Sequence, residues 1–195
     1  MVLGRAPTNP RNRIWFRCRT QHRWVSGCLS TSERRLADAL NNGHAEDVLV
    51  ADEVSVVDST GGQERVQAIG HANISRSAIL FAVPVEDAPR RPDLLIRSKM
   101  PAQRLRVGIG PYEIVGNVHL LEQDRFQDAL LAVTRQFVVL AEAVIRRVDD
   151  PSFVEEHDAV CVSRQHVDYI GLAAPAGQDA GAGKSRAGAP VGIAR

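Results

Sequence analysis

Two aspartates in matched surroundings are the first candidates for chemistry in this 195-residue chain. They are Asp38 in Leu36-Ala37-Asp38-Ala39-Leu40 and Asp128 in Phe126-Gln127-Asp128-Ala129-Leu130. Carboxylates placed alike could hold a ligand above a shared scaffold. They could equally satisfy backbone groups near a helix end or pair with Arg76 and Arg164, and a structural role is the better expectation. Those arginines sit in two Ser-Arg turns, Ser75-Arg76 and Ser163-Arg164, either as exposed recognition groups or as carboxylate partners.

Other motifs fail on spacing. Gly183-Lys184-Ser185 ends like a phosphate-binding loop, but Gln178 stands where the first glycine is required. Gly108-Ile109-Gly110 lacks the third glycine of a dinucleotide loop, because Glu113 occupies it. His157, Asp158, Cys161 and His166 are near in sequence, yet side chains strung across a strand hairpin need not converge on a metal. Cys161 lies between β-formers and reads as a small buried hydrophobe, and no Gly-x-Ser-x-Gly elbow exists to carry a nucleophile. No catalytic residue, metal centre or cofactor is therefore expected.

The composition allows an ordinary folded domain or two small ones, with 44% hydrophobic and 24% charged residues. No stretch approaches the ~18 apolar residues that a membrane helix needs. The start Met-Val-Leu-Gly-Arg lacks the apolar run of a secretory signal. Three scattered cysteines make no disulfide framework, so a reducing, cytoplasmic setting is expected. Charge is blocked rather than mixed. Residues 1–32 hold six arginines and no acid, and residues 33–87 hold ten acids against four bases. Residues 88–106 hold six bases against Asp93, and residues 107–172 hold eleven acids against five bases. Acidic blocks do not attract phosphate. Nucleic acid could be met only by the connectors, through Arg90, Arg91, Arg97, Lys99, Arg104 and Arg106.

The elements that must position these residues occur twice. Besides the two aspartate blocks, Val48–Val54 matches Val138–Val144 at a spacing of ninety residues. Ile74-Ser75-Arg76 matches Val162-Ser163-Arg164, and Val25–Leu29 runs parallel to Ile114–Val118. Two units are expected, 14–87 and 104–173. A basic flexible N-terminus (1–13), a basic Pro-containing linker (88–103) and a disordered Gly/Ala-rich tail (174–195) surround them.

Each unit reads as two strands, a short helix, a longer strand and a final pair of strands. In unit one these are Ile14–Arg19, Arg23–Leu29, a helix capped by Ser30-Thr31-Ser32-Glu33 and stopped at Gly43, then Val48–Val56, Val66–Ile74 and Ala78–Val85. Val48, Val50, Val54 and Val56 share one parity, which Asp52 interrupts as Glu142 does in unit two; a bulge at that point resolves the conflict. The fold class is mainly β (α+β). Each unit is a five-stranded small barrel or half-barrel with one short helix, and internal duplication relates the two.

Several of these residues resemble the Sm-like small β-barrel. Gly27-Cys28-Leu29, Asp38 with Leu40-Asn41, Leu49 with Asp52-Glu53, and Ile74-Ser75-Arg76 leading to Pro84 follow that family's order. Arg35-Leu36-Ala37-Asp38-Ala39-Leu40-Asn41 is also similar to an Arg-Leu-Ser-Asp-x-Leu-Asn signature of uncharacterised bacterial domains. The resemblance implies that Asn41 and Arg76 would contact an RNA base, whereas unit two has Leu131 in place of the asparagine. The reading that follows is a non-catalytic binding or assembly module, with a protein partner or self-association ahead of nucleic acid and no membrane. Its alternatives are an enzyme with a cryptic carboxylate site between the units, using Asp38, Asp128, Asp52 or Glu142, and an RNA-binding Sm-like protein. The candidate interaction residues are Asp38, Asn41, Arg76, Asp128, Arg164, Arg90 and Arg91.

Overall fold

Ile14, Phe16 and Cys18 alternate with Trp15, Arg17 and Arg19, and this stretch folds as a strand with the first set buried. The computed structural model describes residues 12–42, 47–58, 65–85, 102–119 and 135–173. They form strands β1 (Asn12–Thr20), β2 (Arg23–Thr31), β3 (Val48–Asp58), β4 (Arg65–Ser75), β5 (Ile79–Pro84), β6 (Ala102–Ile109), β7 (Tyr112–His119), β8 (Phe137–Arg147), β9 (Val154–Ser163) and β10 (Tyr169–Leu172). One helix, α1 (Leu36–Asn41), follows β2. Short 3-10 turns, Arg76–Ala78 and Arg164–His166, precede β5 and β10. Among the described residues no helix is long and apolar enough to cross a membrane.

All ten strands join one antiparallel sheet in the order β10-β6-β7-β8-β9-β5-β1-β2-β3-β4. The first half runs β5-β1-β2-β3-β4 and the second β10-β6-β7-β8-β9, so corresponding strands occupy corresponding places. Separate closed barrels are not what forms. The sheet is open, because the free side of β5 is taken by β9 through Phe81↔Val162 and Ala82↔Cys161 instead of returning to β4.

Both long central strands bend at the same place. Ser26 pairs with Ser55 and Cys28 with Asp52, so two residues of β3 oppose Gly27 alone. Val115 pairs with Val144 and Asn117 with Ala141, so two residues of β8 oppose Gly116 alone. The bulged residues Glu53 and Glu142 have φ of 53° and 48°, a left-handed backbone that costs a non-glycine residue about 1–3 kcal/mol. The expected bulge is therefore present, one residue beyond Asp52, and Val48 corresponds to Phe137 rather than to Val138. It also reverses the expected parity. Leu49 and Ala51 point inward before the bulge and Val54 after it, while Val50 is exposed.

The proposed capping box is a second correction. β2 runs on to Thr31, and α1 starts only after Arg35, whose extended backbone carries no side-chain cap. Thr31 Oγ1 instead accepts the Glu33 N–H at 3.1 Å. The Glu33 carboxylate accepts Asn42 Nδ2 at 3.0 Å, tying the end of α1 back to the strand. The Gly43 stop, the 59–64 and 120–134 segments with Asp128 and Leu131, the linker with Arg90 and Arg91, and the tail lie outside the described residues.

Two cores interlock. One gathers Ile14, Phe16, Leu29, Leu36, Leu40 and Leu49 from the first half, together with Phe137 and Cys161 from the second. The other gathers Leu105, Ile109, Ile114, Leu140 and Ile145 with Leu80, Phe81 and Val83 of β5. The wholly apolar run Ile79-Leu80-Phe81-Ala82-Val83 is the signature of a strand buried on both faces, and all five residues are buried.

The bends set up a direct comparison. A Cβ on Gly116 would lie 2.9 Å from both the Leu140 and Ala143 Cβ atoms, which are fixed to backbone. One on Gly27 would lie 3.1 Å from Val54 Cγ2, which can turn away, and 3.2 Å from the Asp52 carbonyl. Gly116→Ala should lower unfolding free energy by about 1–3 kcal/mol in urea titrations and Gly27→Ala by less. Equal effects would contradict this geometry.

Candidate interaction seam

Of the residues singled out for recognition, Asn41 turns toward the junction between the halves. Asn41 ends α1, with its side-chain amide against the first residue of β8. Asn41 Oδ1 accepts the Phe137 N–H at 2.9 Å, and Nδ2 donates to the Phe137 carbonyl at 3.1 Å and to Ala37 O at 2.9 Å. The carboxamide thus behaves like one more peptide group beside β8 and satisfies both main-chain groups of Phe137. That role requires an amide, which donates and accepts at once.

Arg76 is 7% exposed beneath α1, where its guanidinium reaches Ala39 O at 3.4 Å. Burial lowers its pKa, partly offset by the charge of Asp47. Arg164, in the corresponding turn, is exposed. Asp38 lies in the first turn of α1, half-buried. Asn41 is bonded across the junction, and Arg76 is covered by the helix.

Around Asn41 the two halves meet through several further contacts. Ser77 O, in the first 3-10 turn, accepts Gln165 Nε2 at 2.8 Å and His166 Nε2–H at 2.6 Å from the second turn. Beside it, Ser75 Oγ bonds Asp47 at 3.2 Å and Ser77 Oγ at 2.7 Å. Hydrogen bonding, from Ser77 above all, holds the Asp47 carboxyl below the usual range.

On the other side of β5 an aromatic chain crosses the junction. Trp24, Phe81, Tyr112 and Phe153 stack edge to face, with successive centroids 5.5, 5.1 and 6.1 Å apart. Arg17 lies over Trp24 at 4.1 Å and pairs with Glu155 of β9. Arg19 lies 5.7 Å from Trp24 and 5.6 Å from Tyr112. Sequence reasoning missed Trp24, Tyr112, Arg17, Glu155 and Phe137 as a group. Their one sequence signal is the pair of large aromatics, Trp24 and Tyr112, at or next to the first residue of β2 and β7.

The carboxylates do not assemble a catalytic site among the described residues. Asp52 bonds His71 at 2.7 Å on the outer strands β3 and β4. Glu142 accepts Asn117 Nδ2 at 2.8 Å and lines an open cleft of about 540 Å³ with Glu156, His157 and Asp158. Asp38 is on α1, not in that cleft. His157 lies 3.1 Å from Glu155 and His166 is turned to Ser77, so these histidines and Cys161 do not converge. No group of three metal-ligating side chains occurs among the described residues. Burial pushes the Cys18 and Cys161 thiols up to about 12, which leaves neither as a thiolate nucleophile near neutrality. Comparison of the chain with protein-family models, curated proteins and solved structures found no match.

Two measurements follow from the junction. Asn41→Ala strands the Phe137 N–H and carbonyl and should cost about 1–3 kcal/mol in urea unfolding, with Asn41→Asp also destabilising because a carboxylate cannot donate to the carbonyl. A change within error for both would remove Asn41 from the junction. The second concerns Glu155, whose carboxyl is held below its ordinary value by hydrogen bonding with His157, against the cost of burial, and also by Arg17. A depressed folded value gives stability that is complete above the ordinary glutamate range and lost as pH falls through the depressed value. Glu155→Gln should therefore lower Tm near neutral pH and converge with the wild type as pH falls; parallel Tm–pH curves would contradict it.

Proposed function

We propose that the chain is a non-catalytic binding and assembly module, made of two tandem Sm-like half-barrel units related by internal duplication and fused edge to edge. The observation that carries this reading is that Asn41 and Arg76, the residues the resemblance assigns to a base, are engaged in the junction and under α1. A side chain that already satisfies Phe137 reaches a base only by giving up those hydrogen bonds. The same strand order in both halves and the glycine opposite a bulge in each support descent from one unit. Three free, buried cysteines suit a reducing cytoplasm. Small curved sheets host many binding roles, and what remains free on this one is edge and surface.

The competing RNA reading is open to measurement by fluorescence anisotropy with uridine-rich and mixed-sequence single-stranded RNA at low salt. No saturable binding is expected. Binding that falls steeply with salt and vanishes when Arg90, Arg91, Arg97, Lys99, Arg104 and Arg106 become Gln would place RNA on the connectors. Binding that survives those changes would return recognition to Asn41 and Arg76. Either outcome would overturn the proposal.

A further inference from the structure

β1 sends Arg13, Arg17 and Arg19 to one face, because Ile14, Phe16 and Cys18 take the other. Two of the three are neutralised: Arg13 pairs with Glu53 and Arg17 with Glu155. Arg19 has no carboxylate partner among the described residues. It is half-buried against the Trp24 and Tyr112 rings, with its Nε sealed from solvent and its terminal nitrogens not. The two rings fix the direction of that guanidinium fork in advance. Presenting it to an anion therefore costs less side-chain freedom than it would for a freely solvated arginine.

A second guanidinium meets it at the same ring. Arg147 lies 5.9 Å from the Tyr112 centroid and directly across the β7–β8 ladder from Tyr112. Its Nε and Nη2 donate to Asp149 at 3.0 and 2.6 Å, which leaves Nη1 without an acceptor among the described residues. Burial raises the pKa of the Tyr112 hydroxyl, and the charges of Arg19 and Arg147 pull it back, so both cations act on one place. Arg17 with Glu155 and Arg147 with Asp149 cancel, and the surplus at Tyr112 is the single charge of Arg19. Arg147 also lines an open cleft of about 460 Å³ whose apolar wall is Val148, Pro151 and Val154. Val148 and Val154 are large apolar side chains left exposed there. Glu113, on the same cleft, is neutralised by Arg106 at 3.1 Å.

We propose that this corner binds a small carboxylate with an apolar body, its carboxylate on the Arg19 and Arg147 guanidinium groups and its body against Val148, Pro151 and Val154. This names a ligand class for the binding module proposed above and rests on that reading. One surplus positive charge matches a monoanion. The planar N–H forks match the two oxygens of a carboxylate, and the exposed valines match an apolar body rather than a bare ion.

The test is a proton–nitrogen correlation NMR titration of the full chain with benzoate at constant ionic strength, followed at the Trp24 indole N–H and the Tyr112, Val148 and Val154 amides. Benzamide supplies the same ring without the charge, and inorganic phosphate supplies charge without the ring. Benzoate should give saturable shifts at these groups with Kd of about 1 mM, and benzamide and phosphate should bind about tenfold more weakly or less. Arg19→Gln should weaken benzoate by about tenfold or more. Arg19 packs on two rings, so Arg147→Gln, at a more exposed side chain, carries the test even where Arg19→Gln costs stability; circular dichroism melts confirm that each variant is folded. Benzamide binding as tightly as benzoate would overturn the proposal in favour of an apolar cleft alone, and phosphate binding as tightly would reduce it to charge alone. Benzoate binding unchanged in both variants, or no saturable shift in the wild type, would remove the site. Each of these results leaves the module reading standing, because the RNA measurement tests that reading separately.

Discussion

β5 carries the structure. It is a six-residue strand with β1 on one side and β9 on the other, and its side chains feed both cores. Its ladder to β9 has only two residue pairs, far too few to hold two five-stranded halves in register. The junction holds because apolar burial surrounds that short ladder. Phe81 and Val83 are inserted into the second core, and Phe137 and Cys161 are inserted into the first. Each large buried side chain contributes roughly 1.5–3 kcal/mol, which makes the interlock stronger than its hydrogen bonds. Asn41 adds a further tie between the halves, from the end of α1 to the Phe137 backbone of β8.

Curvature lets this happen. Each half is bulged where Gly27 or Gly116 faces two residues, and the exposed Glu53 and Glu142 take the left-handed backbone there. Glu53 is bonded by Arg13 of β1 and Glu142 by Asn117 of β7, so each strained residue has its carboxylate tied to another strand. The strain is local. Its return is a sheet that presents two unlike edges at its ends.

Much of the layout is legible in the chain. Strand-forming runs, the bulge beside Asp52 and the fully buried Ile79–Val83 segment all carry direct sequence signals. What the residues could not reveal depends on partners far away along the chain. The left-handed Glu53 shifts the inward parity from Val48 and Val50 to Leu49 and Ala51, and one-residue offsets of this kind are invisible to periodicity. Ser30-Thr31-Ser32-Glu33 has the residue types of a capping box, but β2 claims Thr31 for its ladder with β1. Asn41 reads as a recognition residue because its binding partner, the Phe137 backbone, lies 96 residues away. Arg76 and Arg164 look equivalent in sequence, yet one is buried under α1 and the other is exposed.

The two halves form one cooperative sheet, joined through β5 and β9. Native-state hydrogen exchange reads that claim at the amides of the β5–β9 ladder and of Phe137. If the halves are one unit, these amides exchange only through global unfolding, with the same free energy as Val25 in one core and Ile114 in the other. Junction amides that exchange at markedly lower cost, while Val25 and Ile114 stay protected, would show two independent units resting side by side and would contradict the account.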